Sequence, residues 1–366
     1  MQMRMIGIVE EIVSAHDRLQ ELRVRVKDTL RDAVNFPEMT GEARIGDKVT
    51  LNVWAVELGL GTGGVDFVTE TPHPPQEAEP AGHILKLRYT PWQFPVLTAS
   101  APESPWHDKL SAFVSLDGIP VVCAELHSQI PAVAAAIKWH TNNAARIVYV
   151  MTDSAALNLS LSHLVYYMRQ VGMLDATVTC GQASGGDFEE VNVYSALAAA
   201  RAAANADVII VCQGPGNTGT STALGFSGIE QGISLNAAFA LGGVPITVAR
   251  LSFADYRPRH IGLSHHTRTV LSRAVLCRTY VPIPRLPDEQ RQILRNAMHE
   301  QGLLAKHDFV TIDADLGLKA LTDSGINVTT MGRSISQERP FFLAAAAAGL
   351  LAGQLIEEKG AIPEKL

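Results

Sequence analysis

Five times between Ile119 and Leu276, a short apolar run rich in β-branched residues precedes a stretch of helical composition, often rich in alanine. IPVVCAEL precedes IPAVAAAIKWH, ARIVYVMT precedes LSHLVYYMRQVG, ATVTCG precedes EEVNVYSALAAARAAA, ADVIIVCQ precedes IEQGISLNAAFALGG, and VPITVARL precedes HTRTVLSRAVL. Strands that are apolar throughout are buried on both faces, and strands separated by crossover helices pair in parallel. This pattern predicts an α/β fold with a mostly parallel sheet and helices on both faces.

Two weaker units follow, DFVTIDADLGLKALTDSG and INVTTMGRSISQERPFFLAAAAAGLLAG. The longest apolar run of the chain, FFLAAAAAGLLAG, is shorter than the stretch of about 20 residues that crosses a bilayer. We therefore expect no membrane partner.

Residues 1–70 have a different pattern. In LQELRVRV and DKVTLNVWAVEL the apolar residues occupy alternate positions, which is typical of strands with one buried face. Several such strands without intervening helices predict a small β-barrel-like domain. Residues 71–82, TPHPPQEAEPAG, contain four prolines and are predicted to be a linker. Residues 83–366 then form the predicted α/β, Rossmann-like domain.

Composition narrows the class of protein. The chain has 366 residues, 47% of them hydrophobic and 18% charged, and a formal net charge of −7. A nucleic-acid-binding protein needs a basic face, so we expect no nucleic-acid partner. Four widely spaced cysteines form no CxxC pair, and they are expected to be reduced thiols in a cytoplasmic protein.

Polar residues follow each of the five predicted strands. Because ligands of open parallel sheets bind at the carboxyl ends of the strands, these residues define the expected site. His127 follows the first strand, where it would serve as a general base or ligand, or be a hydrogen-bonded histidine below a helix N-terminus. The residues expected to orient a substrate after the third and fourth strands are Gln182, Gln213, Asn217 and Thr218.

The loop after the fourth strand, CQGPGNTGTSTALGFSG, is rich in glycine. It lacks the GxxxxGK[ST] pattern of a phosphate-binding loop. Although GPGNTG matches GxGxxG, proline removes one backbone donor and no acidic residue ends the next strand, so the match to a dinucleotide site is weak. We expect the loop to orient a ligand rather than react with it.

The segment after the fifth strand contains the densest group of chemically capable side chains. Within seventeen positions it carries Arg250, Asp255, Arg257, Arg259, His260, His265 and His266. Histidine and carboxylate suit zinc, manganese or iron, and we predict His265, His266 and Asp255 as ligands of a divalent metal. Arginine suits a carboxylate or phosphate substrate. The alternative is a solvated connection capped by Ser264.

Together, LGLGTGG, AELHS, CGQASGGD, QGPGNTGT and RLSFADYRPRHIGLSHHT resemble an uncharacterised bacterial family, the domain of unknown function numbered 3866. The resemblance covers nearly the whole chain. It implies no activity, substrate or cofactor.

The residues therefore predict an enzyme, a hydrolase or group transferase, that acts on a small anionic metabolite. His127, Asp255, His260, His265 and His266 are the expected catalytic or metal-binding residues, and Arg250, Arg257 and Arg259 the expected anion-binding residues. Two other classes of protein remain open: a sensor that binds a metabolite without converting it, and a structural homo-oligomer.

Overall fold

The computed structural model describes residues 4–16, 18–60, 64–75 and 82–357. The chain divides into two compact units, Met1–Val96 and Leu97–Leu366. Residues 76–81 of the predicted linker and residues 61–63 of the glycine-rich LGLGTGG motif lie outside the described residues. Each unit is described by itself below.

The N-terminal unit is built on a closed five-stranded barrel with the strand order β1-β2-β3-β5-β4. Alternate residues of these strands, among them Val9, Leu22, Val24, Val49 and Leu51, fill the barrel interior. The barrel expected from the alternating pattern is therefore confirmed. The strands are β1 (Arg4–His16), β2 (Leu19–Val26), β3 (Thr29–Asn35), β4 (Lys48–Asn52) and β5 (Asp66–Glu70).

Close packing of β1 on β2 requires glycine at position 7. A Cβ atom there would lie 2.5 Å from Cγ1 of Val24 and 2.8 Å from the carbonyl oxygen of Arg25. The unit also contains short elements that the alternating pattern does not indicate. They are the helices α1 (Pro37–Thr40) and α2 (Trp54–Glu57) and the antiparallel pair β6 (Ile84–Lys86) and β7 (Phe94–Val96).

The C-terminal unit contains an eight-stranded, wholly parallel sheet in the order β11-β10-β9-β12-β8-β13-β16-β17. The α/β fold predicted from the alternation of strands and helices is therefore confirmed. The sheet strands are β8 (Pro120–Cys123), β9 (Ile147–Thr152), β10 (Ala176–Cys180), β11 (Phe188–Glu190), β12 (Val208–Gln213), β13 (Val244–Thr247), β16 (Tyr280–Pro284) and β17 (Asp308–Ile312). A separate antiparallel pair consists of β14 (Leu251–Ser252) and β15 (Gly262–Leu263).

Helices cover both faces of this sheet. Along β9, Tyr149 and Met151 enter one apolar core and Val148 and Val150 enter the other. The first core packs against α4, α11 and α12, and the second against α6 and α7. The helices of this unit are α3 (His107–Ser111), α4 (Ile130–His140), α5 (His163–Gln170), α6 (Val193–Ala202), α7 (Glu230–Ala240), α8 (His265–Thr269), α9 (Asp288–Glu300), α10 (Leu303–Lys306), α11 (Asp315–Asp323) and α12 (Arg339–Glu357).

Helix α12 contains the longest apolar run of the chain, FFLAAAAAGLLAG. It has 19 residues, so by length and composition alone it could cross a membrane, but 78% of its most apolar window is buried within the protein. Gly349 lets it approach α4, because a Cβ atom at this position would lie 2.3 Å from the carbonyl oxygen of Val133.

Two units differ from the sequence interpretation. INVTTMG does not form a strand of the sheet, and within it Thr330 makes only an isolated bridge to Arg333. The pair β16 and α9 is a strand–helix unit that the apolar pattern did not identify, because prolines interrupt the sequence YVPIPRLP.

Candidate functional site

The candidate site lies beyond the carboxyl ends of four strands that are consecutive in the sheet, β9, β12, β8 and β13. Glu125 follows β8, Gln213 ends β12, and Arg250 follows β13. Because these strands are neighbours, residues far apart in the sequence meet here. A hydrogen bond of 2.8 Å from Nε2 of Gln213 to the carbonyl oxygen of Glu125 joins two of the strand ends directly.

Three histidines from the segment after β13 form a compact cluster. His260 ends a 3-10 turn (Pro258–His260), and His265 and His266 begin α8. One ring nitrogen from each of the three can be chosen so that all of these atoms lie within 4.8 Å of one another. Ser264 begins α8 by accepting a hydrogen bond from the backbone N–H of His266, which turns the chain so that His265 and His266 follow at once. We call His260, His265 and His266 the three-histidine cluster.

Hydrogen bonds fix the orientation of two of these rings. Nδ1 of His266 lies 2.6 Å from Oε1 of Glu125, and Nδ1 of His260 lies 2.8 Å from Oγ of Ser264. The ring of Phe226 also stacks on His266, with centroids 3.9 Å apart. With Nδ1 engaged in both rings, Nε2 is the nitrogen that is left for a further ligand. This arrangement of imidazole, carboxylate and hydroxyl is typical of protein metal sites.

His265 has a different environment. Its Nε2 atom is buried and has no hydrogen-bond partner among the described residues. Its ring centroid lies 4.9 Å from that of His260 and 4.3 Å from that of His266. A buried polar atom without a partner is uncommon in a folded protein. The orphaned nitrogen is therefore consistent with a ligand in the cluster.

The electrostatics favour neutral imidazoles. Burial, with the neighbouring Arg250 and Arg257, lowers the pKa of His260 to about 3. Burial and the neighbouring His266 lower the pKa of His265 to about 4. A neutral imidazole is the form that binds metals.

Glu125 is the buried carboxylate at the centre of the site. It is fully inaccessible to solvent, and Oε1 accepts hydrogen bonds from Arg250 at 3.0 Å and from Asn217 at 3.3 Å. Burial opposes its ionisation, but Arg250 and His266 outweigh burial and hold its pKa below the usual range. Gly228 packs against it, since a Cβ atom there would lie 2.6 Å from Cγ of Glu125.

The predicted metal ligand Asp255 is engaged elsewhere. Its carboxylate makes bidentate hydrogen bonds with Arg257, at 2.9 and 2.8 Å, and a contact of 3.2 Å with Arg333. The hydrogen bond from Arg257 lowers the pKa of Asp255 well below its usual range. The geometry thus groups His260, rather than Asp255, with His265 and His266.

The other predicted site residues have different environments. Arg250 and Arg257 are paired with carboxylates, whereas Arg259 is exposed. Gln213 and Asn217 contact Glu125 and help to position it. Thr218 donates its backbone N–H to Oγ of Ser227 at 3.1 Å.

Gln182 and His127 lie in other polar networks. The backbone N–H of Gln182 donates to Asp153 at 2.8 Å. Nε2 of His127 lies 2.6 Å from Oγ of Ser162, and its Nδ1 lies 3.3 Å from the hydroxyl of Tyr149. Burial lowers the pKa of His127 to about 4. His127 makes these contacts rather than a contact with the three-histidine cluster.

Two acidic residues to which the sequence analysis gave no role line one narrow crevice, Glu125 and Glu230. One carboxylate oxygen of each, Oε2, is buried without a hydrogen-bond partner among the described residues. Burial, together with the charge of Asp153, raises the pKa of Glu230. Glu230 could have been recognised in the sequence from its position two residues after the glycine-rich loop, where α7 begins.

A comparison with family models gives a match to a protein family of unknown function, DUF3866, over residues 32–349. The chain belongs to the DUF3866 family. The match includes every residue of the candidate site in this DUF3866 protein, and it confirms the resemblance carried by the sequence motifs. No curated protein matches the chain.

Proposed function

We propose that this protein is a metal-dependent hydrolase that acts on a small anionic metabolite, and that its metal is a divalent transition ion bound by the three-histidine cluster. The observation that supports this proposal is the convergence of ring nitrogens from His260, His265 and His266 within 4.8 Å. Three protein ligands and one open position are the usual arrangement of a catalytic zinc site.

The residues around the cluster suit this role. Glu125 accepts a hydrogen bond from His266, which sets the tautomer of that ring and increases its strength as a ligand. Ser264 is placed to do the same for His260. Phe226 excludes water from one face of His266. A bound divalent metal would supply an activated water, because it lowers the pKa of coordinated water to about 7.

Arg250 keeps Glu125 ionised in a buried position, so that the carboxylate remains an acceptor for His266. Without that guanidinium, burial would favour the protonated carboxyl group. Arg250 therefore acts as a positioning residue. The exposed Arg259, which directly precedes His260, is available to attract an anionic substrate.

The proposal also includes the surroundings in which the protein works. The four cysteines are free, which is consistent with a cytoplasmic compartment. The partner we propose is a small molecule rather than a nucleic acid or a membrane. Assembly into a homo-oligomer is compatible with the net charge of −7.

The first test is metal binding. The purified protein is stripped with chelator, titrated with Zn²⁺, Mn²⁺ and Fe²⁺ in separate calorimetric experiments, and compared with a His265→Ala variant. We expect about one transition metal per chain for the wild type and a loss of at least tenfold in affinity for the variant. The matched control is His299→Ala, because His299 is exposed on α9. Equal affinities of wild type and His265→Ala would refute the proposed site.

The second test concerns turnover. The metal-loaded protein is incubated with panels of phosphate esters, carboxylic esters and amides, and hydrolysis is followed by product release. Activity that disappears with chelator and returns with metal would support a hydrolase. Stoichiometric metal binding without hydrolysis in any panel would instead favour the metabolite-sensing class.

A further inference from the structure

Arg268 lies on the same short helix as His265, three positions later. Residues three apart on an α-helix lie on one face, with Cβ atoms about 5–6 Å apart. Arg268 follows the dense group of arginines and histidines that ends at His266. The helix therefore places Arg268 on the same face as His265.

The Nε atom of Arg268 is buried and has no hydrogen-bond partner among the described residues. It therefore resembles Nε2 of His265, which is also buried without a partner. A buried N–H group without an acceptor is unfavourable, so an acceptor supplied by a ligand would stabilise it. Two orphaned polar atoms on one face of α8 indicate that a ligand binds across both.

Arg259 directly precedes His260 and is exposed. Arg268 follows His265 by three positions, and the rings of His260 and His265 lie 4.9 Å apart, so both arginines are attached next to the three-histidine cluster. These two arginines differ from Arg250 and Arg257, each of which already pairs with a buried carboxylate. Within the described part of the chain, neither Arg259 nor Arg268 has such a carboxylate partner, so both are available to an incoming anion.

We propose that Arg259 and Arg268 form an anion subsite beside the three-histidine cluster, and that this subsite takes the phosphate group of a phosphate monoester. The inference deepens the proposed function and rests on it for the metal. It replaces Arg250 and Arg257 as the expected anion-binding residues.

The chemistry of the surroundings favours a doubly charged, tetrahedral group. Imidazole is uncharged when it binds a metal, so a divalent ion would keep its full charge, and the two arginines would add to it. A phosphate group has enough oxygens to contact a metal and two guanidinium groups at once, whereas a carboxylate has only two. Guanidinium also matches the geometry of phosphate in paired hydrogen bonds.

The test uses inorganic phosphate as the probe. Its affinity is measured by calorimetry at pH 8 for the protein with one equivalent of Zn²⁺ and for the metal-free protein. We expect Arg268→Gln to bind phosphate roughly ten- to a hundredfold more weakly than the wild type, with zinc affinity unchanged. Arg268→Lys should show an intermediate loss, since lysine keeps the charge but not the paired donors. The matched control is Arg273→Gln, an exposed arginine on the adjoining π-helical turn, which should bind phosphate like the wild type.

Failure of the subsite and failure of the metal proposal give different results. Normal zinc binding with equal phosphate affinity in wild type and Arg268→Gln would overturn the subsite alone. A wild-type protein that binds no phosphate at millimolar concentration would do the same. Loss of zinc binding with phosphate binding that still depends on Arg268 would support the subsite and count against the metal. Acetate binding as tight as phosphate would overturn the assignment to a phosphate monoester.

Discussion

Nδ1 of His266 lies 2.6 Å from Oε1 of Glu125, although the two residues are 141 positions apart in the chain. Glu125 belongs to the connection after β8, and His266 to the first turn of α8. This contact links the three-histidine cluster to the end of a central strand. It also joins the histidines to Arg250, which binds the same carboxylate oxygen at 3.0 Å.

Replacing Glu125 by glutamine should weaken metal binding and reduce stability. Glutamine retains the shape of the side chain but leaves Arg250 buried without a countercharge, which typically costs about 3–5 kcal/mol. The loss of the orienting carboxylate should lower zinc affinity about 10- to 100-fold. Zinc titration and urea unfolding measure the two effects. Glu289→Gln, at an exposed position on α9, is the control. A variant with wild-type zinc affinity would show that Glu125 does not position the ligands.

The stability of the protein should fall at acidic pH because the folded state keeps His127 neutral. Burial lowers its pKa to about 4, compared with about 6.5 in an unfolded chain. The unfolded state therefore binds more protons as the pH falls from 6.5 to 4, so stability present above pH 6.5 is lost across this window. His127→Gln should flatten that decline by up to roughly 3 kcal/mol, as measured by urea unfolding from pH 7 to 4. Parallel profiles for the two proteins would contradict a buried, neutral His127.

Replacing Glu230 by glutamine should remove a pH dependence of the opposite sign. Because burial and Asp153 raise the pKa of Glu230, the folded state favours the protonated carboxyl group. Stability is then highest below the unfolded pKa and declines as the pH rises through the folded pKa. Glutamine has no proton to lose, so the variant should gain thermal stability relative to the wild type as the pH rises from 4 to 8. Thermal unfolding at a series of pH values measures this difference, and a constant offset would mean that Glu230 does not titrate abnormally.

Gly349→Ala tests the close approach of α12 to α4. The added methyl group would lie 2.3 Å from the carbonyl oxygen of Val133, so the helices must separate. Overpacking of this kind costs about 1–3 kcal/mol, and backbone atoms yield less readily than side chains. We expect a clear fall in the free energy of unfolding. Gln354→Ala, near the end of the same helix and only partly buried, should change stability much less.

The fold was predictable from the sequence to a large extent, because each periodicity has a direct physical cause. Apolar strands such as β9 and β12 must be buried on both faces, and alternating strands such as β2 must have one buried face. The failures occurred where local sequence was ambiguous. Prolines interrupt β16, so its sequence did not indicate a strand. Apolar residues in INVTTMG suggested a strand of the sheet that does not form.

The site was less predictable, because it depends on pairings that sequence spacing does not specify. The segment from Arg250 to His266 could be identified from its composition. The pairing of acids with bases could not be identified in this way. Asp255 accepts a hydrogen bond from Arg257, two residues away, and is therefore not grouped with His265 and His266, with which it was predicted to bind a metal. Glu125 enters the site instead, through contacts across 125 positions to Arg250 and 141 positions to His266.

The three histidines all come from one segment of seven residues, His260 to His266, while the connection after the central strand β8 contributes the carboxylate Glu125. If the cluster binds the proposed metal, the ligands and the scaffold are encoded in separate parts of the sequence. Substitutions confined to His260–His266 would then change the ion or its reactivity while the sheet remains intact. Such a division would allow related chains to share one architecture and differ in chemistry.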